Sequence, residues 1–202
     1  RPARRCILLA FVSAFFRRPH ILKDLAMTTF LLVALALVAV AVLLAASRSG
    51  LFRVERSVHI AAPPERILPL ISDLRKFNTW NPFSKEQALQ LTYTGPASGS
   101  GAGYAFAGSG AAGRGTLTVT AASADAVSMR LCMTAPVRCE NHLDFTLTSA
   151  AGGTDVRWAM HGRSPFIAKL MGVVVNTDRM IGRELEVGLA ALRERCAMAE
   201  AA

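Results

Sequence analysis

The sequence lacks the short motifs that most often identify a catalytic or metal site. Its 202 residues contain no G-x-S-x-G nucleophile elbow and no H-E-x-x-H zinc motif. The four cysteines form no C-x-x-C pair, and the spacing from Cys139 to His142 directs these two side chains to opposite faces of a strand. We therefore expect neither a metal ion nor a cofactor.

Disulfide bonds are not expected either. Cys6 and Cys196 lie far from the other two cysteines in the sequence. Cys132 and Cys139 are close enough for a hairpin, but alternation places Cys139 on the face of Leu143 and Cys132 on the opposite face. Because a disulfide requires converging Cβ atoms, the sequence predicts free thiols unless a β-bulge resets the register.

Dinucleotide binding is disfavoured by the residues around a glycine-rich stretch. In GSGAAGRG, Gly108, Gly110 and Gly113 match the G-x-G-x-x-G spacing that holds a pyrophosphate at the start of a helix. The residues that follow, 116–120 (TLTVT), alternate in polarity as a strand does. We therefore expect these glycines to form a turn between two antiparallel strands.

Positive charge is concentrated at the N-terminus rather than in the rest of the chain. The formal net charge is +9, but residues 1–50 contribute +6, from seven Lys or Arg against one Asp. Residues 51–202 contribute only +3, from 16 Lys or Arg against 13 Asp or Glu. They contain no stripe of alternating basic and aromatic residues, so we do not expect nucleic acid as a partner.

A long apolar segment precedes the folded part, and residues 25–47 contain no charged side chain. About 20 apolar residues match the thickness of a bilayer, whereas the apolar region of a signal peptide usually has about 7 to 15. A signal peptide is the competing interpretation, with a cleavage site at residues 45–47. No face of the segment is polar, which argues against a buried core helix. We predict a transmembrane anchor at 27–47, with Thr28 to Ala46 in the membrane.

The orientation of this anchor depends on where translation starts. Six Lys or Arg residues precede the span and three follow it. This bias places the N-terminus in the cytoplasm and the domain on the non-cytoplasmic (periplasmic or extracellular) side of the membrane. If translation starts at Met27, the basic segment 1–26 is not translated and the bias reverses.

From residue 51 to about 198, strand and helix patterns alternate in an order that indicates one α+β domain. LFRVERSVHI reads as a half-buried strand, and Pro63-Pro64 then opens a short helix. FNTWNPFS reads as an irregular loop, and a long helix follows Pro165, with one apolar face that includes Leu192 and Cys196. Six further strands are predicted in between, at 89–94, 103–107, 116–121, 127–134, 137–148 and 154–162.

Four stretches of this domain carry a resemblance to a known superfamily. They are VERSVHIAAPPERILPLISDLRKFNTWNPF, YTGPASGSGAGYAFAGSGAAGRGTLTVT, GGTDVRWAMHG and DRMIGRELEVGLAALRE. In order and spacing they resemble polyketide-cyclase-like proteins of the START-related, helix-grip superfamily, often called SRPBCC. The resemblance implies a curved antiparallel sheet around the long C-terminal helix, with a hydrophobic cavity between them. Relatives include lipid carriers, polyketide binders and cyclases, so no single reaction is implied.

Alternation along the strands predicts which side chains face the helix and line such a cavity. Most of the inward set is apolar; its polar members are two tyrosines, one asparagine and one thiol. His142, His161, Glu140, Asp144 and Asp155 have the opposite parity, so no catalytic residue is predicted. The candidate ligand-binding residues are Trp80, Tyr93, Tyr104, Phe106, Met129, Leu131, Met133, Asn141, Trp158, Met160, Ile181, Leu185 and Leu189.

Two glycines in the final helix are unusual for a helix interior. Gly182 and Gly188 each cost about 1 kcal/mol relative to alanine at such positions. Either they let the helix approach the sheet near Trp158 in a solid core, or they leave space beside Leu185 and Leu189 for a ligand.

We therefore expect a membrane-anchored, non-catalytic binding domain for a hydrophobic small molecule or lipid. One alternative is an enzyme of the polyketide cyclase or dehydratase type that acts on an apolar substrate. A second alternative is a protein-interaction module with a filled core.

Overall fold

The chain divides after residue 47 into two compact units, and each is described by itself. The predicted basic segment 1–26 falls largely outside the described part of the first unit. The computed structural model describes residues 19–47, 50–85, 89–108, 113–163 and 177–198.

The first unit contains one helix, α1 (Pro19–Ser47). It begins eight residues before Met27 and includes the whole segment predicted as an anchor. Its section Leu25–Leu44 has a mean hydropathy of 2.8, and none of this section is buried in protein. At 1.5 Å per residue, these 20 residues extend about 30 Å, so the helix is long and apolar enough to cross a membrane.

The second unit is built on a seven-stranded antiparallel sheet with the spatial order β1-β7-β6-β5-β4-β3-β2. All seven predicted strands are present, with each end within two residues of its predicted position, because alternating side chains identify half-buried strands well. The strands are β1 (Leu51–Ile60), β2 (Gln90–Thr94), β3 (Gly103–Ala107), β4 (Arg114–Ala122), β5 (Ala126–Ala135), β6 (Cys139–Ala150) and β7 (Gly153–Arg163).

Helices cover one face of this sheet. β1 and β2 form opposite edges, and the chain between them contains α2 (Pro64–Ser72), α3 (Leu74–Phe77) and α4 (Pro82–Lys85). α2 packs against β5 and β6, and the C-terminal helix α5 (Thr177–Met198) packs against β1, α2 and α4. Register shifts along β4 mark irregularities that increase the local twist and bend of the sheet. The predicted helix-grip α+β fold is thereby confirmed.

The region between β1 and β2 is more ordered than its sequence predicts. Pro64 starts α2, where its fixed φ suits the first turn. The Asp73 side chain accepts hydrogen bonds from the amides of Arg75 and Lys76, so a separate helix, α3, begins there. The predicted irregular loop contains the short helix α4, in which the amide of Phe83 donates to the Asn81 side chain over 3.3 Å. Capping bonds join residues only two or three positions apart. They leave no periodic pattern in the sequence from which the short helices could be predicted.

The glycine-rich stretch joins two strands, as predicted. β3 and β4 pair antiparallel on either side of it, and the Gly108 amide donates to the Gly113 carbonyl over 2.9 Å. Gly113 has φ of +68°, a conformation that side chains with a Cβ rarely adopt. Residues 109–112 lie outside the described part. A strand rather than a helix follows, so the stretch lacks the helix N-terminus that a pyrophosphate site requires.

The densest part of the core is a cluster of aromatic rings: Phe77, Trp80, Phe145 and Trp158. Phe145 and Trp158 stack across neighbouring strands with centroids 4.9 Å apart, and Trp80 meets Trp158 edge to face at 5.8 Å. The Trp80 indole donates to the Leu70 carbonyl over 2.8 Å, which ties the loop to α2. All four rings are at most 1% exposed, so both tryptophans act as core residues.

α5 approaches this aromatic cluster at a glycine. A Cβ at Gly188 would lie 2.7 Å from Cζ3 of Trp158 and 2.9 Å from Cδ of Pro82, closer than side chains pack. Gly188 therefore matches the solid-core alternative, since its lack of a side chain lets the helix lie against the sheet. Gly182 is different, because a Cβ there would meet the guanidinium end of Arg56, a flexible group.

We predict that alanine at these two glycines has opposite effects. Gly188→Ala should lower the free energy of unfolding by about 1–3 kcal/mol, because neither Trp158 nor Pro82 can move without disturbing the packed core. Gly182→Ala should be neutral or stabilising by up to about 1 kcal/mol, because alanine favours the helix and Arg56, in moving aside, would give up only ion pairs with the exposed carboxylates of Asp178 and Glu186. Urea denaturation of both variants measures the difference, and equal effects would contradict the close packing of α5 at Gly188.

Candidate functional site

A cavity of about 560 Å³ lies beside the aromatic cluster, between α5, the α4 segment and the inner face of the sheet. Its walls are mostly apolar. The residues that line it are Phe77, Asn81, Pro82, Phe83, Ser84, Leu89, Tyr104, Phe106, Leu117, Leu131, Met133, Leu143, Met160, Met180, Ile181 and Glu184.

The sheet wall of the cavity follows from strand register. Tyr104, Leu117 and Leu131 are successive cross-strand neighbours on β3, β4 and β5, so their side chains share the inner face. In the next row Phe106 pairs with Gly115, and a Cβ at this glycine would lie 2.7 Å from the Phe106 ring. Gly115 thus lets the ring lie over β4 and leaves the row without a side chain on that strand.

Two apolar side chains stand where the cavity meets solvent. Phe83 in α4 is 41% exposed, and Met180 in the first turn of α5 is 57% exposed. Exposed large apolar groups next to an apolar cavity are typical of an opening through which a ligand passes. Among the described residues, the mouth is therefore formed by Phe83 of α4 and by Met180 at the beginning of α5, about two turns before Gly188.

The polar groups of the cavity are few and mostly uncharged. Tyr104 is 5% exposed, and burial, together with nearby Tyr93, raises its pKa well above the ordinary value, although hydrogen bonds with Asn78 and Asn81 oppose this. The phenol is therefore neutral at physiological pH and can donate or accept a hydrogen bond. Among the described residues of the lining, Glu184 is the one carboxylate, and none is Lys, Arg or His.

Six of the predicted ligand-binding residues line the cavity: Tyr104, Phe106, Leu131, Met133, Met160 and Ile181. Five others lie in the solid core, at most 2% exposed: Trp80, Met129, Trp158, Leu185 and Leu189.

Tyr93 and Asn141 lie elsewhere. The Tyr93 hydroxyl accepts from Asn78, and the guanidinium of Arg75 lies 4.3 Å from the centre of its ring. The Asn141 amide lies 3.7 Å from the sulfur of Cys139. Alternation thus predicts which side chains face the helix. It does not predict which of them line the cavity and which fill the core, because both regions contain the same residue types.

Sequence reasoning missed the lining contributed by α4 and its flanks. Asn81, Pro82, Phe83 and Ser84 belong to the stretch that reads as an irregular loop, and no periodicity marks which of its side chains point inward. The sequence does offer Glu184 as a residue of the cavity mouth, because it shares the apolar face of α5 with Ile181, but an isolated carboxylate on a helix is more often solvated.

The titratable residues of opposite parity lie outside the cavity. Nε2 of His161 is 2.8 Å from the Asp144 carboxylate, which also accepts from Ser128 over 2.7 Å. Partial burial by itself would raise the pKa of Asp144, but hydrogen bonds from Ser128 and His161 hold it below its ordinary value. The His142 ring stacks on His161 with centroids 5.3 Å apart. None of these side chains belongs to the cavity lining.

The cysteines confirm the predicted alternation. Cys132 pairs across the hairpin with Glu140, and Cys139 pairs with Met133, so the two thiols are on opposite faces of the sheet and both are free. Burial raises the pKa of the Cys139 thiol, although the hydrogen bond from Asn141 acts in the opposite direction. This thiol is therefore a poor nucleophile.

Solved structures share this architecture. A protein of unknown function from Staphylococcus aureus has a TM-score of 0.55 at 12% identity, covering 75% of this chain and 97% of its own. Ara h 8.0201 has a TM-score of 0.53 at 9% identity, covering 74% and 99%. A protein from Rhizobium leguminosarum has a TM-score of 0.53 at 14% identity, covering 73% and 95%. At these identities the likeness shows the fold alone.

Sequence comparison identifies the family of the domain. Comparison with curated proteins finds no significant match. The model of the family described as "Polyketide cyclase / dehydrase and lipid transport" matches residues 52–197, which include every strand of the sheet and almost all of α5. The resemblance that the motifs predicted is thereby confirmed. The chain belongs to the polyketide cyclase / dehydrase and lipid transport family.

Proposed function

We propose that the domain is a non-catalytic carrier that binds a hydrophobic small molecule or lipid in the cavity beside α5, and that α1 anchors the chain in a membrane. The observation that supports binding is the apolar cavity of about 560 Å³ next to a tightly packed aromatic core. Its volume lies within the range of roughly 300–1,000 Å³ of small-molecule sites. The filled-core alternative is disfavoured by this space.

The lining favours a ligand without negative charge. An anionic head group would enter an apolar site in which Glu184 is the only charged residue of the described lining, so no cation there could pair with it. A neutral ligand with one hydroxyl or carbonyl group could place it against the neutral Tyr104 phenol. The proposed ligand is therefore a neutral, largely apolar molecule such as a polycyclic alcohol or ketone.

This preference can be tested with a pair of matched probes. Pyrenebutanol and pyrenebutyrate differ only in whether the chain ends in a neutral or an anionic group. We expect the domain to bind the neutral probe at least about tenfold more tightly. Leu131→Trp, which fills the cavity, should abolish binding of both, whereas Val187→Trp on the exposed side of α5 should not. Fluorescence titration measures each affinity, and equal binding by the two tryptophan variants would reject the cavity as the site.

An enzyme of the cyclase or dehydratase type remains the second candidate because Glu184 places a carboxylate in the cavity wall. The outer-face residues are not candidates for such a reaction. Replacing His142, His161 or Glu140 singly should leave the affinity for pyrenebutanol, and any turnover of a polyketide-like substrate, within a few-fold. A loss of about 100-fold on Glu184→Gln, the size expected for a general acid or base, would support the enzyme, whereas the same loss at an outer-face residue would mean that the reaction does not take place in the cavity.

The anchor is tested by extraction. We expect the full chain to stay in the membrane pellet after alkaline carbonate washing, and a chain that begins at Leu51 to be soluble. A double substitution, Leu37→Lys with Val38→Lys, should release the full chain, since each lysine near the centre of a span costs about 2.5–3.5 kcal/mol of insertion free energy. Recovery of the unaltered chain in the wash would reject the anchor. Protease protection in sealed vesicles then reports whether the domain lies on the non-cytoplasmic side, as the charge bias favours.

A further inference from the structure

A second, basic groove lies at the end of the sheet where β1 begins. Its volume is about 840 Å³, and among the described residues it shares no lining residue with the ligand cavity. Three strands and one turn contribute to it. The lining residues are Leu51, Phe52, Arg53, Arg138, Cys139, Glu140, His142, His161, Gly162 and Arg163.

Strand register explains why cations gather at this end. Leu51, the first residue of β1, pairs with Arg163, the last of β7, and Arg53 pairs with His161. His161 in turn pairs with His142 on β6. Arg138 lies in the turn that precedes β6. Basic side chains from four segments therefore lie at the same end of the sheet. The segments are β1, the turn before β6, β6 and β7.

The groove has more positive than negative charge, and two of its arginines are free to bind a ligand. The described residues of its lining include three arginines and one carboxylate. Arg53 pairs with Glu55 at 2.8 Å, and Glu140 lies 3.7 Å from His142. Arg138 and Arg163 are exposed and have no acidic partner within 4.0 Å in the described part of the chain.

Exposed apolar side chains accompany these cations. Leu51 is 69% exposed in the groove lining, and Val137, next to Arg138, is 37% exposed. The opposite end of the sheet differs, with Asp125 in the β4–β5 turn and Asp155 near the start of β7. Cations next to exposed aliphatic groups suit the interface of an anionic membrane, where phosphates bind the cations and the aliphatic groups enter the acyl boundary.

We propose that this groove binds the phosphate groups of anionic membrane lipids, chiefly through Arg138 and Arg163. The choice of a membrane over a soluble phosphate rests on the proposed anchor, because only residues 48–50 separate α1 from β1 in the sequence. The end of the domain at which β1 begins would then face the bilayer. The apolar cavity and the basic groove would have separate tasks, the first binding the cargo and the second the lipid surface.

The test uses the domain without α1, so that the anchor cannot contribute to membrane binding. The domain contains its own hydrophobic core, and the solved relatives described above consist almost entirely of this domain, so residues 50–202 are expected to fold alone. Cosedimentation with vesicles of phosphatidylcholine alone, and with mixed phosphatidylcholine and phosphatidylglycerol vesicles, measures binding. We expect binding to the mixed vesicles only, weakening as salt is added.

Matched variants identify the groove. Arg138→Gln with Arg163→Gln should weaken binding to the mixed vesicles at least about tenfold, whereas Arg138→Lys with Arg163→Lys should retain it. Arg183→Gln with Arg193→Gln, on exposed positions of α5, makes the same change in net charge and should have little effect. If the α5 pair weakens binding as much as the groove pair, the binding is a matter of net charge and the proposal is wrong.

Two further measurements distinguish lipid binding in the groove from binding of a soluble phosphate and from binding in the cavity. Displacement of the vesicles by inorganic phosphate at constant ionic strength would mean that the groove binds a soluble phosphate, which would overturn the lipid assignment. The groove variants should bind pyrenebutanol normally, and Leu131→Trp should bind vesicles normally. Failure of vesicle binding with normal probe binding and a carbonate-resistant full chain would reject the groove alone and leave the proposed function intact.

Discussion

The contact between Gly188 and the Trp158 ring sets the distance between α5 and the sheet. Trp158 is held from its other side by Phe145 and at its edge by Trp80, so its ring is a rigid surface against which the helix rests. A helix is itself stiff, and fixing one point along it limits where its other turns can lie. Interiors pack at crystal-like density, so a void must be supported by rigid walls of this kind.

The cavity lies against the part of α5 that precedes Gly188 by about one to two helical turns. Leu185 and Leu189 are buried in the solid core, whereas Ile181 and Glu184 line the open part. On the sheet, the open part begins with the row of Tyr104, Leu117 and Leu131 and continues into the row of Phe106 and Gly115, where β4 contributes no side chain. The same helix and sheet therefore provide a rigid core at one end and a binding site at the other.

Charge is distributed so that the two proposed tasks do not interfere. The described lining of the cavity contains a neutral phenol and a single carboxylate, while Arg53, Arg138 and Arg163 gather at the end of the sheet where β1 begins. A phosphate attracted to the groove gains nothing from entering the cavity, and a neutral ligand gains nothing from the groove. A membrane-anchored carrier needs this separation, because lipid head groups are present at far higher concentration than any cargo.

The sequence by itself determined the seven strands of the domain, its first and last helices, and their order, although not the short helices α3 and α4. Alternation predicted the ends of every strand to within two residues. It also correctly placed Cys132 and Cys139 on opposite faces of the sheet, and the histidines of β6 and β7 on the face away from the cavity. These features depend on a period of two along single strands, which a sequence displays directly. The family followed from motifs whose order reflects the same elements.

Only the tertiary structure decided which inward residues surround space and which fill it. Met129 and Met133 have the same parity on one strand, yet the first is in the core and the second is in the cavity wall. Across β4, Met129 faces Val119, whereas Met133 faces Gly115, which has no side chain. Strand pairing likewise brought Arg53, Arg138 and Arg163 together from distant parts of the chain. Packing distance and register are relations between elements, so no periodicity within one element could have predicted them.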